Sequence, residues 1–575
     1  MQANYNTIAA LQTAQFFVKL TKKYLDVLIL LNSIKAVSSL EKIFIDSDVS
    51  SLTELKHFSM LKNEKKSFQI ALNITDSEFI NIDIASSLNG FLNISVVKNV
   101  PSDLAAPKRT DDFYIKKAPG LYPDLLLPVS EGCSFDSSGT FAFWIEISPS
   151  EEKLLPSGNH NIAITTRTKS TSYKTELSVE VIDALLPKQT LIYTNWIHTD
   201  CLMTYYGFKA FTDEYWETLR NYLNKAVKYG MNCVLTPIFT PPLDTEIGKE
   251  RPTVQLVKIN TAGNGAYSFD FSLLEKWISI SKECGIEYFE LSHFFTQWGA
   301  KHAPKIEACV NGKEEKIFGW NTKATGFEYK HFLRQFAFAL KSFLRKENLE
   351  DNVLIHVSDE PPFSCLLSYK KASRIIHHLF PEYKIVDAMS SYPLAKICNV
   401  RYPIPANDYI DSFIGKTEEL WTYYCSAQSL KNVSNRFFSM PSVRNRILGY
   451  QMYKYSVKGF LHWGYNFYFS QYSRKPIDPY KVTDAGKAFA SGDSFIVYPG
   501  DNFTPLNSLR LNVFYDGLQD MMALQLLESK IGKEAVVKLM EDSTDKPITF
   551  SEYPHSNSWL LENREKINQK IKKYI

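Results

Sequence analysis

Between about residue 40 and residue 186, short runs alternate apolar and polar positions, with turn residues between them. Examples are Phe68–Ile74, Phe141–Ile147, His160–Thr166 and Thr175–Val181. A period of two buries one face of a strand, and short strands at this spacing predict a β-sandwich. Asp183-Ala184-Leu185-Leu186-Pro187 reads as its exit. The pattern then changes to apolar strand-like runs alternating with helix-period segments, the signature of βα units. The predicted strands are Ile192–Trp196, Cys233–Ile238, Tyr288–Ser292, Val353–Val357, Ile385–Ala388, Ser412–Ile414, Leu420–Tyr424 and Phe460–Trp463. Helices are predicted at Glu214–Tyr229, Leu273–Cys284, Glu328–Leu344, Phe363–Leu379 and Val443–Tyr455, with a last one at Asp516–Glu528. Phe332, Phe336, Leu340 and Phe343 form one apolar helical stripe. Val353–Val357 is apolar at four of five positions, as a strand buried on both faces should be.

The expected fold class is therefore multidomain α/β plus all-β: an N-terminal β-sandwich followed by a (β/α)8 TIM-type barrel. The expected boundaries are a helical N-terminal extension over 1–38, the sandwich over 39–187, the barrel over 188–532 and a helical C-terminal tail over 533–575. Residues 7–37 are fairly apolar, but Lys19, Lys22, Lys23 and Asp26 interrupt them. No basic segment precedes them, and the longest clean run, Val27–Leu31, is too short to span a bilayer. Amphipathic helices, no membrane span and a cytoplasmic location are the expectation, with export left open.

Composition narrows the partners. Over 575 residues, 65 basic and 62 acidic side chains leave a formal net charge of +3, which calls for neither nucleic acid nor an anionic membrane surface. The eight cysteines are scattered, with no CxxC pair and no His/Cys ligand spacing, so neither zinc nor a disulfide framework is expected. No glycine loop suited to phosphate appears, and no cofactor is implied. No oligomeric state is implied either. Aromatic residues make up 14% of the chain; their flat rings suit sugar faces, although most belong in cores.

Barrels of this kind carry their chemistry at the C-terminal ends of the strands. There the sequence places His198 and Asp200 after the first strand, His293, Gln297 and Trp298 after the third, and Ser358, Asp359 and Glu360 after the fourth. The seventh strand carries Trp421, Tyr423 and Tyr424, and the eighth ends with His462, Trp463, Tyr465 and Asn466. Two carboxylates among aromatics point to a sugar-cleaving cleft more than to a metal or phosphate site. The residue before a proline is pushed to extended backbone, so Glu360, before Pro361, is expected there. The plainer reading of Asp359 and Glu360 is an acidic cap before a helix.

Two-carboxylate glycosidases hold their carboxyls across the scissile bond, about 5–5.5 Å apart for retention and about 6.5–9.5 Å for inversion. Neighbours in sequence do not easily straddle a bond in that way. They can lie side by side under a 2-acetamido sugar that supplies its own carbonyl oxygen as nucleophile. Glu360 would then protonate the leaving oxygen and later activate water, while Asp359 would hold the acetamido N–H.

Several collinear blocks resemble glycoside hydrolase family 123, the β-N-acetylgalactosaminidases and the wider group sharing their catalytic domain. They are Ser292-His293 with Thr296 to Pro304, Ile317-Phe318-Gly319-Trp320, His356 to Pro361, Leu420 to Cys425 and Gly459 to Asn466. Further on come Ser491-Gly492-Asp493, Tyr498-Pro499-Gly500, Ser508-Leu509-Arg510 and Asp516-Gly517-Leu518-Gln519-Asp520. The resemblance runs from about residue 40 to 530. It implies a sandwich, a catalytic barrel and a retaining, substrate-assisted exo-glycosidase acting on terminal β-linked N-acetylgalactosamine. By position it makes Asp359 the acetamide-orienting residue and Glu360 the acid/base. The segment 1–38 has no counterpart, and Tyr515 stands where the family commonly has arginine.

A glycan is thus the expected partner. His198, Asp200, His293, Trp298, Trp320, Tyr423, Trp463 and Asn466 are the expected sugar contacts, with barrel packing as the alternative for each ring. Trp320 follows a hairpin signalled by Asn311-Gly312. His198 and Asp200 have no third clustered ligand, so no metal is expected. Two rival functions stay open. One is a two-carboxylate β-glycosidase on a non-acetamido sugar, with Asp200 or Glu418 as the second carboxylate. The other is a non-catalytic carbohydrate-binding protein.

Overall fold

A computed structural model describes residues 34–575 apart from 151, 170 and 264. The chain divides into two units. One takes residues up to 99 with 126–186 and 568–575; the other takes 100–125 with 187–567.

The first unit is built from two β-sheets. In one, Ile34–Ser38, Lys66–Ile74, Gly139–Ile147 and Leu92–Ser102 lie side by side, antiparallel. In the other the order is His57–Leu61, Ser172–Ile182, Gly158–Arg167, Glu78–Ser86 and Gly132–Phe135. Alternation decides which faces meet: Phe68, Ile70, Leu72 and Ile74 join Ile162, Ile164, Leu177 and Val179 in one core. Residues 34–38, assigned to a helical extension on sequence, form an edge strand, because Ala36 belongs to that core. The rest of the expected extension lies outside the described residues.

In the second unit eight short strands run parallel. In chain order they are Ile192–Asn195, Cys233–Thr236, Tyr288–Leu291, Val353–His356, Lys384–Ala388, Tyr402–Ile404, Trp421–Tyr423 and Gly459–His462. Each pairs with its neighbour in sequence, and the eighth pairs with the first. Between the sixth and seventh strands the ring is closed by a parallel bridge, Ala406 to Tyr423. The fourth strand is buried at all four positions.

Helices follow most strands, but the sixth is followed by a single 3-10 turn, Ile410–Ser412. The eightfold β/α alternation expected from the sequence is therefore not regular. The expected strand at Ser412–Ile414 is corrected to Tyr402–Ile404: a buried Ile404 aligned with Ala388 outcompetes the later apolar pair. The Asn311-Gly312 hairpin forms as read, with both residues at positive φ, 49° and 85°. Through pairs such as Thr261 with Val310 it joins the insertion after the second strand in one four-stranded sheet.

Residues 100–125, read as sandwich, group with the barrel instead, where Asp111 is held by the buried Arg444 guanidinium at 2.8 Å. The last barrel helix, Leu509–Ile531, crosses Leu448–Lys454 where two glycines meet. A Cβ on Gly449 would lie 1.8 Å from the Gly517 carbonyl oxygen, so no side chain fits. The tail forms helices Lys533–Met540 and Asn557–Lys572. Among the described residues no helix is long and apolar enough to cross a membrane, and all eight cysteines are free.

Candidate active site

One pocket opens at the C-terminal ends of the barrel strands. Its walls are Trp196 from the first strand end, Leu243 and Asp244 from the second loop, and Gln297 and Trp298 from the third. Asp359 and Glu360 come from the fourth strand, Tyr423 from the seventh, and Leu461 and Trp463 from the eighth. Parallel strands all end at the same rim, which is why residues so distant in sequence meet there.

The acidic pair is held by its backbone. The N–H groups of Val357 and Ser358 both donate to Asp387 Oδ1, at 2.9 and 3.2 Å. The Trp298 N–H then donates to the Asp359 carbonyl at 2.8 Å. At Glu360 the chain turns left-handed, with φ +42°. The extended backbone expected before Pro361 is therefore corrected: tertiary hydrogen bonds to the three preceding residues override the local preference. A non-glycine residue there costs about 1–3 kcal/mol, and such strain gathers at functional sites. Asp244 (φ +39°) and Trp298 (φ +58°) share the condition, so three residues of one pocket are left-handed.

Both carboxyls are half-buried. Burial, reinforced by the neighbouring Glu360 charge, pushes Asp359 well above the usual carboxylate range. Burial also raises Glu360, against which the Tyr423 hydroxyl acts by donating to Glu360 Oε1 at 2.5 Å. Two crowded carboxyls in a low-dielectric pocket share a proton more readily than they both ionise.

Beneath the pair lies a buried chain of ionisable groups. Glu290 Oε1 meets His356 Nε2 at 2.5 Å and accepts from Trp196 Nε1 at 2.9 Å, while Thr194 donates to its other oxygen at 2.6 Å. Asp387 lies 3.4 Å from His356 Nδ1 and accepts the Tyr369 hydroxyl. Burial alone would lower His356, but the two carboxylates outweigh it and raise the imidazole to about 10. His356 is thus a fixed cation under Asp359. Glu290 and Asp387 escaped sequence reading because a carboxylate inside an apolar strand gives no sign of what it faces.

The other expected contacts divide. Trp298, 38% exposed at the rim, and Trp463 do line the pocket, as does Tyr423. His293 is buried below it, its ring 4.5 Å from that of His356. His198, Asp200 and Asn466 are buried too and do not face the pocket. Asp200 takes both its bonds from Arg251, at 2.7 Å each, and His198 Nδ1 lies 3.1 Å from the same guanidinium. Asn466 exchanges hydrogen bonds with the His198 backbone at 2.9 and 3.1 Å. Trp320 donates to the Lys249 carbonyl at 3.0 Å and stands outside the pocket. These are corrections to a reading that used strand ends alone: proximity to the rim does not say which way a side chain points.

Arg251 and Asp244 were not found from sequence. Arg251 also donates to the Leu243 carbonyl at 3.0 Å, so the His198–Asp200–Arg251 group anchors the loop that presents Asp244. Burial raises Asp244 to about 6. Its only sequence signal is a carboxylate after Pro241-Pro242, eight residues past the second strand.

The family model "Glycoside hydrolase 123, catalytic domain" matches residues 196–527. None of the curated proteins compared by sequence matches. Among solved structures, a family 123 glycoside hydrolase from Clostridium perfringens, analysed for glycolipid glycan hydrolysis, aligns with TM-score 0.71 at 16% identity. The alignment covers 94% of this chain and 98% of that one. A β-glucuronidase from Parabacteroides merdae aligns with TM-score 0.30 at 12% identity over 86% of this chain and 52% of that one, too weak a likeness to argue from.

Proposed function

The chain belongs to glycoside hydrolase family 123, and from that premise we propose that it is a retaining exo-β-N-acetylgalactosaminidase working by substrate assistance. The observation that carries the reading is the sequence-adjacent pair Asp359 and Glu360, side by side in one pocket walled from seven strand ends. Glu360 donates its proton to the glycosidic oxygen as that bond breaks. The acetamido carbonyl oxygen closes on C1, and Asp359 accepts the acetamido N–H as positive charge develops on the ring being formed. Water, deprotonated by Glu360, then opens the ring with overall retention. Burial and crowding favour the shared proton on Asp359 in the free protein. An acetamido N–H donating to Asp359 favours its anion once substrate is bound, which moves the proton to Glu360, where the first step needs it.

A second reading has its own observation. A two-carboxylate glycosidase would take Asp244, which lines the pocket, as the partner of Glu360. It would not take Asp200, occupied by Arg251, or Glu418, paired with Arg401 at 2.7 Å. Aryl β-N-acetylgalactosaminide, β-N-acetylglucosaminide and β-galactoside separate the two. Substrate assistance expects cleavage of an acetamido sugar alone; cleavage of the plain galactoside sinks it.

Tyr423→Phe tests the acid. Its hydroxyl holds Glu360 down, so its loss lets the pKa rise. A general acid works while protonated, and the rate falls as pH rises through its pKa. The alkaline limb of kcat/KM is therefore expected to move to higher pH. A limb that stays or moves down removes Tyr423 from this role.

A further inference from the structure

We infer that Asp244 is the specificity carboxylate of the glycosyl pocket, accepting a hydrogen bond from a hydroxyl of an uncharged sugar through its free oxygen, Oδ1. The inference rests on the pocket being the glycosyl site, and it goes beyond the acidic pair.

Three observations carry it. First, Asp244 is fixed on all sides. Its N–H donates to Gln297 Oε1 at 2.7 Å, its carbonyl accepts from Ser473 Oγ at 2.7 Å, and Oδ2 accepts from the Tyr472 N–H at 2.8 Å. Gln297 Nε2 reaches the next carbonyl, of Thr245, at 3.3 Å, and Arg251 holds the preceding one. A left-handed aspartate at φ +39° persists only where its surroundings over-determine it. Second, all this clamping leaves one carboxylate oxygen without a donor among the described residues, on a side chain that lines the pocket. A ligand that covers this oxygen without supplying a donor strands it, whereas a hydroxyl there satisfies it, which makes the position selective for a ligand that brings one. Third, among the described residues the pocket wall carries Asp244, Asp359 and Glu360 and no lysine, arginine or histidine. The cations closest in effect are committed elsewhere: Arg251 to Asp200 and Arg474 to Glu246 at 3.0 Å. A sugar bearing a carboxylate or sulfate would meet three acids and no counter-ion, so the pocket takes a neutral one.

Asp244→Asn suits the test, because the amide oxygen still accepts from Tyr472 and the change falls on the free position. Wild type and variant are assayed on the aryl N-acetylhexosaminide that wild type cleaves best and on its 3-, 4- and 6-deoxy and 6-O-sulfo forms. Thermal melting checks the fold. The variant is expected to lose roughly 10- to 100-fold in kcat/KM on the parent, the worth of one hydrogen bond to a charged group. On one deoxy sugar the two enzymes should converge, since the hydroxyl that Asp244 reads is already gone. Wild type should leave the 6-O-sulfo form essentially uncleaved. An equal loss on every deoxy sugar, or no loss on the parent, overturns the inference while leaving the glycosidase reading intact. Cleavage of the sulfated form at the parent's rate overturns the restriction to neutral sugars. Absence of wild-type cleavage on all of them removes the glycosyl-site premise and the inference with it.

Discussion

Glu360→Gln is expected to lower kcat about 10²–10⁴-fold on a β-N-acetylgalactosaminide with an alkyl or sugar leaving group, the usual worth of positioned acid/base catalysis. Glutamine keeps the shape and still accepts from the Tyr423 hydroxyl, so the loss reports the proton and not the packing. An acidic phenol leaves without help, so the first step on a nitrophenyl glycoside suffers much less. Asp359→Asn should behave differently. It removes the charge that holds the acetamido N–H and stabilises the ring, at about 10²–10³-fold, with little dependence on the leaving group. Rates of both variants on a series of leaving groups test the assignment. Parallel slopes would mean that the two roles are wrongly divided, and activity within three-fold of wild type in Glu360→Gln on the alkyl glycoside would exclude it as the acid.

Asp520→Asn is expected to cost the barrel unit about 3–5 kcal/mol, the typical penalty for stranding a buried charge. Asp520 is fully buried and binds the Arg446 guanidinium at 2.7 and 2.8 Å and Arg564 Nε at 3.0 Å. Without it, the buried Arg446 guanidinium is left with Asp516 at 3.7 Å. The site is tight as well as charged, because Gly517 and Gly449 bring the two helix backbones together one turn away. Urea denaturation followed by tryptophan fluorescence reads the effect. An unchanged midpoint would show that water reaches these arginines. Replacing Arg446, Asp520 and Arg564 together by apolar residues should recover part of the loss, since the desolvation cost disappears with the triad.

Much of the site was legible in the chain. Period two over Phe68–Ile74 announced a strand with one face in a core, and the all-apolar Val353–Ile355 a strand buried on both faces, because burial acts directly on local pattern. The dipeptide Asp359-Glu360 was visible because it ends such a strand. Its backbone was misjudged: the proline rule is local, whereas the Trp298 N–H and the Asp387 carboxylate that set it come from other strands. His198 and Asp200 were placed at the right rim but given the wrong duty, because Arg251, their partner, lies more than fifty positions later.

What the sequence determined by itself was therefore seven of the eight barrel strands, their parallel order and the acidic pair at the end of the fourth. Each follows from side-chain period and chain direction, which one segment carries alone. The tertiary structure decided which polar groups face the pocket and which brace it. Asp244 faces in and Asp200 is turned to Arg251; Trp463 lines the wall and Trp320 does not. Glu290 and Asp387 make a cation of His356 only once three strands stand side by side. Orientation, burial and pKa depend on neighbours brought together by the closed barrel, and no single stretch of chain contains its own neighbours.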